Sequence, residues 1–287
     1  MKNIIWLASY PKSGNTWFRI FLSNLLDEKE EPSDINKITS THGIASARHI
    51  FDEITGIEAS DLSHDEVDYL RPGLYNILSN EAKRTLFIKA HDAYTFLPDQ
   101  HPMFPPSATK GVIYIIRNPL DVAVSYANHN GCMMQESIDM MGNETHGLCT
   151  KNRRLVNQLR QKMGTWSQHV ISWTNAQEPD VHVVRYEDMQ ELPLNTFTSA
   201  VEFAGLDFDR RAIEEAIRNS CFEVLKQQEQ EKGFKEKSAK SPSFFRQGKI
   251  GSWREDLTPE QVKQVVRDQK EVMKKYGYLT DDGEIVY

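Results

Sequence analysis

Three cysteines in 287 residues are too few for a disulfide framework, which points to a reducing compartment, the cytoplasm. No apolar run approaches the length needed to cross a bilayer, so a membrane-spanning helix is excluded. An apolar run begins at Ile4, leaving no room for the charged n-region, apolar h-region and cleavage site of a secretory leader, and none is expected. Basic residues are outnumbered 34 to 41, for a net charge of −7. That balance argues against nonspecific nucleic-acid binding but leaves room for a local basic pocket. Internal repeats are also missing. What is present, 39% hydrophobic and 26% charged residues, describes a soluble globular protein, read here as a single domain over 1–287.

Four apolar or β-rich runs stand out: Ile4–Tyr10, Thr85–Lys89, Gly111–Arg117 and Val181–Tyr186. They barely alternate, as strands buried on both faces do. Helical patterns lie between them. Trp17–Leu26 follows the first run, and Pro119–Asn128 follows the third, with Asn118 as N-cap. Leu155, Leu159, Met163, Trp166, Val170 and Trp173 mark one face of a predicted long helix before the fourth run. Thr196–Ala204, Asp209–Ser220 and Pro259–Tyr276 complete the set, the last with Thr258 as N-cap and Gly277 as its stop. Strands alternating with helices predict an α/β fold, a mostly parallel central sheet with helices on both faces.

Ligands of such sheets bind beyond the carboxyl ends of the strands. The first run leads into Pro11-Lys12-Ser13-Gly14-Asn15-Thr16-Trp17, a small-residue loop opening a helix. That geometry aims backbone N–H groups at a phosphate, with Lys12 as ammonium and Ser13, Asn15 and Thr16 as side-chain donors. Lys12 precedes a single Gly14, so the Walker spacing is absent. The second run ends in Lys89-Ala90-His91, the third in Arg117-Asn118-Pro119 with Ser125 two turns into the next helix, the fourth in Arg185-Tyr186. Several cations at strand ends imply a ligand with more than one anionic group. Trp17, directly after the loop, is placed either in the core or against a base. Near the C-terminus, Arg246-Gln247-Gly248 and then Gly251 suit close backbone approach to an anion.

In this order and at this spacing, the residues from Tyr10 to Trp253 resemble the PAPS-dependent sulfotransferase family, cytosolic and bacterial branches included. The resemblance implies the family's P-loop-NTPase-like architecture, with PAPS (3′-phosphoadenosine 5′-phosphosulfate) as co-substrate and no metal requirement. Lys12, Ser13, Gly14, Asn15, Thr16 and Trp17 match the 5′-phosphosulfate loop. Lys89-Ala90-His91 is similar to the segment carrying the catalytic histidine. Arg117 and Ser125 look like 3′-phosphate ligands and Tyr186 like the adenine contact. Ser220, Cys221, Phe222 and Leu225 fall where the family has further nucleotide contacts, and Arg246-Gln247-Gly248 resembles the closing 3′-phosphate motif. Asn15 stands where Thr is usual, Gln247 where a basic residue is usual, and Ser252 where an acidic one is usual.

The implied reaction is in-line transfer of a sulfuryl group to an acceptor hydroxyl. It needs a base, His91, and cations for the leaving phosphate and the sulfuryl oxygens, Lys12 and Lys89. Two rival readings are a P-loop-type small-molecule kinase and a nucleotide-binding protein without catalysis. The first would require Mg²⁺ and a strand-end carboxylate, whereas the third run ends in Arg117. His91 has no use in the second.

Two polar segments resist assignment to the framework: 131–150, read as a substrate lid, and 226–243, read as a mobile charged segment. Met133, Met134, Ile138, Met140 and Met141 either line an adaptable pocket for a hydroxyl acceptor or pack on the core. The partner is expected to be a small-molecule or natural-product alcohol or phenol, with neither nucleic acid nor membrane involved. His129, Cys132, His146 and Cys149 repeat a His-x-x-Cys spacing that would suit a tetrahedral zinc clip, set against an ordinary lid.

Overall fold

The computed structural model of the protein describes residues 2–27, 31–38, 40–151 and 156–287. Its chain divides into two compact units. The first comprises Met1–Tyr10, His42–Tyr114 and Asn143–Val183; the second comprises Pro11–Thr41, Ile115–Gly142 and Val184–Tyr287.

The first unit holds strands β1 (Ile4–Ala8), β2 (Leu86–Ala90), β4 (Gly147–Leu148) and β5 (Gln161–Lys162), while β3 (Thr109–Ile116) and β6 (Val181–Arg185) begin in it and end in residues of the second. The main sheet has the order β2-β1-β3-β6. β1 runs parallel to β2, in register from Ile4 opposite Leu86 to Ala8 opposite Ala90, and parallel to β3. Every residue of β1 is buried, which is why its sequence is continuously apolar. Trp6 satisfies its indole N–H on Thr109 Oγ1 at 2.9 Å and meets the Tyr75 and Phe104 rings edge-on, each at 4.9 Å. Burying such a side chain stabilises the fold by about 2–3 kcal/mol. The helix His64–Glu81 starts at a capping box formed by Ser63 and Glu66.

The long helix expected around Leu159 to Trp173 is not formed. Leu155 lies outside the described residues. Leu159 donates its N–H to Ser46 O, Gln161–Lys162 pairs antiparallel with Gly147–Leu148, and the helix spans only Trp166–Thr174. Gly164 at φ +64° breaks the spiral, and Thr165 then caps the helix with Gln168. Leu159, Met163, Trp166, Val170 and Trp173 are all buried, so the pattern recorded burial rather than helicity.

In the second unit the helix Asn15–Asp27 is buried along most of its length, and Phe21 packs 4.1 Å from Phe197 of the helix Pro193–Phe203. The helix Pro119–Asn130 begins as expected, with Asn118 accepting the Leu120 N–H, and ends at Gly131 in the left-handed region. The remaining helices include Met134–Met141, Tyr186–Glu191, Arg210–Asn219 capped by Asp209, Phe222–Lys232 and Pro259–Lys275 capped by Thr258. Within 226–243, the stretch to Lys232 is helical. There the Glu229 carboxylate accepts the N–H groups of Phe244 and Phe245 and the Ser243 hydroxyl. Phe234 and Phe245 join Ile20, Ile35 and Leu225 in one apolar cluster. Among the described residues no helix is long and apolar enough to cross a membrane.

Candidate functional site

The phosphate loop lies in the second unit from Pro11 onward. Lys12 adopts φ +70° and Gly14 φ +102°, and the Phe18 N–H closes the first helical turn on Gly14 O at 3.1 Å. The N–H groups of the first turn are the ones a helix leaves unpaired, so they form an anion site with a favourable dipole. Gly14 is required twice over. Its φ suits only glycine, and a Cβ there would lie 2.6 Å from Tyr186 Cδ2. Ser13 is fully buried and its hydroxyl has no partner among the described residues. Such an orphan costs about 1–3 kcal/mol unless a ligand satisfies it.

Arg117 gathers distant parts of the chain around this loop. Its Nη1 donates to Lys12 O at 3.4 Å and its Nη2 to Lys249 O at 3.2 Å, while the guanidinium lies 4.1 Å from the centre of the Tyr186 ring. Trp17 meets the other aromatic surface of the unit, 5.7 Å from Tyr186. Lys12 Nζ stands 3.9 Å over the Phe244 ring, a cation–π contact. The closing motif arrives through Gly248, where φ is +62° and a Cβ would come 2.4 Å from Phe222 Cδ2. Gln190 Nε2 donates to Gly248 O at 2.6 Å. Asp121 holds the next residues, accepting Gly251 N–H at 2.9 Å, Ser252 hydroxyl at 3.1 Å and Trp253 N–H at 3.1 Å. Glu187 accepts the Asn118 N–H at 3.0 Å and the Tyr278 hydroxyl at 2.9 Å, and burial raises its pKa.

Lys12, Ser13, Gly14, Tyr186, Arg117, Phe222 and Gly248 are therefore brought together by the second unit. Asn15 and Thr16 open the helix, and Thr16 Oγ1 donates to Glu236 at 3.4 Å. Ser125 sits half-buried in the helix Pro119–Asn130. Ser220 turns its hydroxyl onto its own helix, donating to Ala216 O at 2.7 Å. Arg246 pairs with Asp256 at 3.2 Å, and Gln247 has a buried Oε1 without a partner among the described residues. Arg185 turns instead to the Tyr278 and Tyr287 rings, at 5.1 and 5.2 Å, so this strand-end cation serves packing. Asp121, Glu187, Gln190 and Phe244 escaped the sequence reading. Asp121 stands inside the helical stretch Pro119–Asn128 already singled out, but a carboxylate that caps backbone N–H groups from afar leaves no local pattern.

His91 and Lys89 lie in the first unit. His91 Nδ1 is 2.8 Å from Ser9 O. A carbonyl only accepts, so Nδ1 carries a proton, and in the neutral ring Nε2 then holds the lone pair. The half-buried Lys89 has its backbone tied on both sides, N–H to Gly43 O at 3.0 Å and O from Ala45 N–H at 2.8 Å. Asp92, which follows His91, receives both arms of the buried Arg71, at 2.8 and 2.9 Å. The same unit encloses a cavity of about 520 Å³ whose walls include Ala93, Tyr94, His146, Gly147, Met163 and Gln168.

The methionine segment takes the core-packing alternative at Ile138 and Met141, and among the described residues the His-x-x-Cys pairs are not gathered into a metal cluster. Ile138 and Met141 are buried in the helix Met134–Met141, whose Ser137 hydroxyl donates to Ala123 O, while Met133 is 68% exposed. Among the described residues no group of three or more His, Cys, Asp or Glu is placed to hold a metal ion. Burial pushes the Cys132 and Cys149 thiols up, away from the thiolates that zinc needs, while it pushes His146 down toward the neutral imidazole.

The family model for the Sulfotransferase domain matches residues 2–277. The flavonol 3-sulfotransferase of Flaveria bidentis is 25% identical over 281 residues, covering 92% of this chain and 79% of its own. Cytosolic sulfotransferase 17 of Arabidopsis thaliana is 27% identical over 293 residues, covering 97% of this chain and 76% of its own. A mouse sulfotransferase solved in complex with PAP superposes with a TM-score of 0.58 at 20% identity, covering 96% of this chain and 85% of that one, a likeness of fold.

Proposed function

The chain belongs to the sulfotransferase domain family, and we propose that it transfers a sulfuryl group from PAPS to the hydroxyl of a small aromatic or otherwise hydrophobic acceptor, with His91 as general base. The carrying observation is the fork of Arg117 on the carbonyls of Lys12 and Lys249, which joins the phosphate loop to the closing motif. The second unit fits this co-substrate. Ser13 offers a buried hydroxyl without a partner among the described residues, and Gly14 leaves backbone where any Cβ would collide. The first-turn N–H groups and Lys12 would take the 5′-phosphosulfate. Arg117, Ser125, Arg246 and Gly248 would take the 3′-phosphate, and the Tyr186, Trp17 and Phe222 rings the adenine.

PAPS supplies the activated sulfuryl group and a phosphate leaving group. His91 Nε2 receives the acceptor's proton as the acceptor oxygen bonds to sulfur, and the Ser9 carbonyl keeps the imidazole in that tautomer. Lys12 compensates the charge left on the departing phosphate oxygen, and Lys89 that on the sulfuryl oxygens. The cavity beside Ala93 and Tyr94 is proposed as the acceptor's berth. Its volume of about 520 Å³ suits a drug-sized molecule, and Tyr94 and Met163 offer apolar surface. Segment 143–150, the second half of the proposed lid, supplies part of its wall. The cytoplasm is the proposed compartment, in keeping with free thiols at Cys132, Cys149 and Cys221.

Calorimetric titration tests the reading. Adenosine 3′,5′-bisphosphate should bind without metal and ATP with Mg²⁺ far more weakly. The reverse order would give the site to a kinase. Turnover of a panel of phenols and alcohols with PAPS then identifies the acceptor, and no turnover on any of them would leave a binding protein.

A further inference from the structure

The helix Trp166–Thr174 turns one face toward the backbone that carries His91. His169 Nε2 lies 3.0 Å from His91 O, Trp173 Nε1 donates to Asp92 O at 2.9 Å, and Ser172 Oγ accepts the Tyr94 N–H at 3.0 Å. Positions 169, 172 and 173 share one helical face, so three ties fall on one short segment. The bond to His91 fixes the protonation of His169 as well. The carbonyl can only accept, so His169 Nε2 bears the proton, and its Nδ1 lone pair takes the Tyr114 hydroxyl at 2.8 Å. His169 is fully buried, with the Tyr10 and Tyr114 rings at 5.5 and 5.8 Å. Burial lowers its pKa to about 4, so it stays neutral throughout the working range.

We propose that His169, oriented by the Tyr114 hydroxyl, is a positioning residue for His91, holding the His91 carbonyl so that the ring keeps its Nδ1–H on Ser9 O and turns Nε2 to the acceptor. This rests on the reading of His91 as general base. A base displaced by about 1 Å from its productive geometry loses on the order of a hundredfold in rate. A packing histidine would affect stability and leave the tautomer of its neighbour alone.

The test compares His169→Leu, His169→Gln and Tyr114→Phe in the full chain. Turnover is measured together with the affinity for adenosine 3′,5′-bisphosphate and the ¹⁵N NMR signature of the His91 tautomer. The Leu variant should lose roughly ten- to a hundredfold in kcat, keep its nucleotide affinity within about twofold, and show His91 as a mixture of tautomers. The Gln variant, whose amide N–H can reach the same carbonyl, should recover most of the rate and the single tautomer. Should the Leu variant not fold, Tyr114→Phe carries the test, with a partial loss of kcat and the same mixing expected. Full kcat and an unchanged tautomer in Leu or Phe overturn the proposal, as does a Gln variant no better than Leu. Failure of the base reading is recognised separately, by His91→Ala turning over normally.

Discussion

Arg117 and Tyr186 form a cation–π pair, guanidinium to ring centre 4.1 Å. The ring it rests on is also the one that leaves Gly14 no room for a side chain. One aromatic surface thus packs against the Arg117 guanidinium and shapes the loop at Gly14.

Arg117→Ala should weaken adenosine 3′,5′-bisphosphate by about 1.5–3 kcal/mol, the worth of a charged hydrogen bond. The analogue without the 3′-phosphate should lose much less. Arg117→Lys should recover little, because a point charge cannot reach the carbonyls of Lys12 and Lys249 together. Calorimetry with both ligands checks this, and equal losses would place Arg117 away from that phosphate.

His91→Ala is expected to lower kcat by about two to four orders of magnitude, with nucleotide affinity and melting temperature nearly unchanged. A variant within a few-fold of normal kcat would remove His91 from the chemistry.

The strand–loop–helix from Ile4 to Asp27 was legible in the sequence, because apolar run, small residues and helical pattern follow one another locally. The caps at Asn118 and Thr258 were equally legible, being local side chain to backbone bonds. The stretch from Leu159 to Trp173 was misread, since apolar spacing reports which residues are buried, and one positive-φ glycine at 164 divides what the spacing unites. The methionines of 133–141 left two alternatives open for a related reason, as a helix face and a pocket wall ask for the same residues. The anchoring of Gly251, Ser252 and Trp253 by Asp121 was out of reach, because a bond between residues so far apart in the chain leaves no periodic trace.

Gly14→Ala should cost about 1–3 kcal/mol through its positive φ alone, with more from the overlap at Tyr186. The melting temperature should fall by several degrees, roughly 2–4 °C per kcal/mol for a chain of this class, and nucleotide binding should drop with it. Thermal melts with and without adenosine 3′,5′-bisphosphate decide. An Ala variant that melts and binds normally would show that the loop does not need its glycine.

His169 links stability to pH. Its folded pKa of about 4 lies below the ordinary histidine value of 6.5, so in that window the unfolded chain binds the extra proton. Stability from this group is complete above pH 6.5, falls as pH drops toward 4, and levels off below, by roughly 3 kcal/mol in all. Glu187 acts in the opposite sense, since its raised pKa makes the protein less stable as pH climbs above the ordinary glutamate value. Denaturant melts of His169→Gln should therefore be flatter between pH 6.5 and 4 than those of the parent. An unaltered slope would show that His169 is not the buried neutral group.

The bonds of Arg117 to Lys249 and of Asp121 to Gly251 have a consequence for biosynthesis. Arg117 and its loop are translated long before Lys249, so a growing chain on the ribosome carries Arg117 without one of the two carbonyls that steady it. Any chain interrupted before residue 249 lacks one of the two carbonyls on which Arg117 forks, and the partner of Asp121 at Gly251 as well.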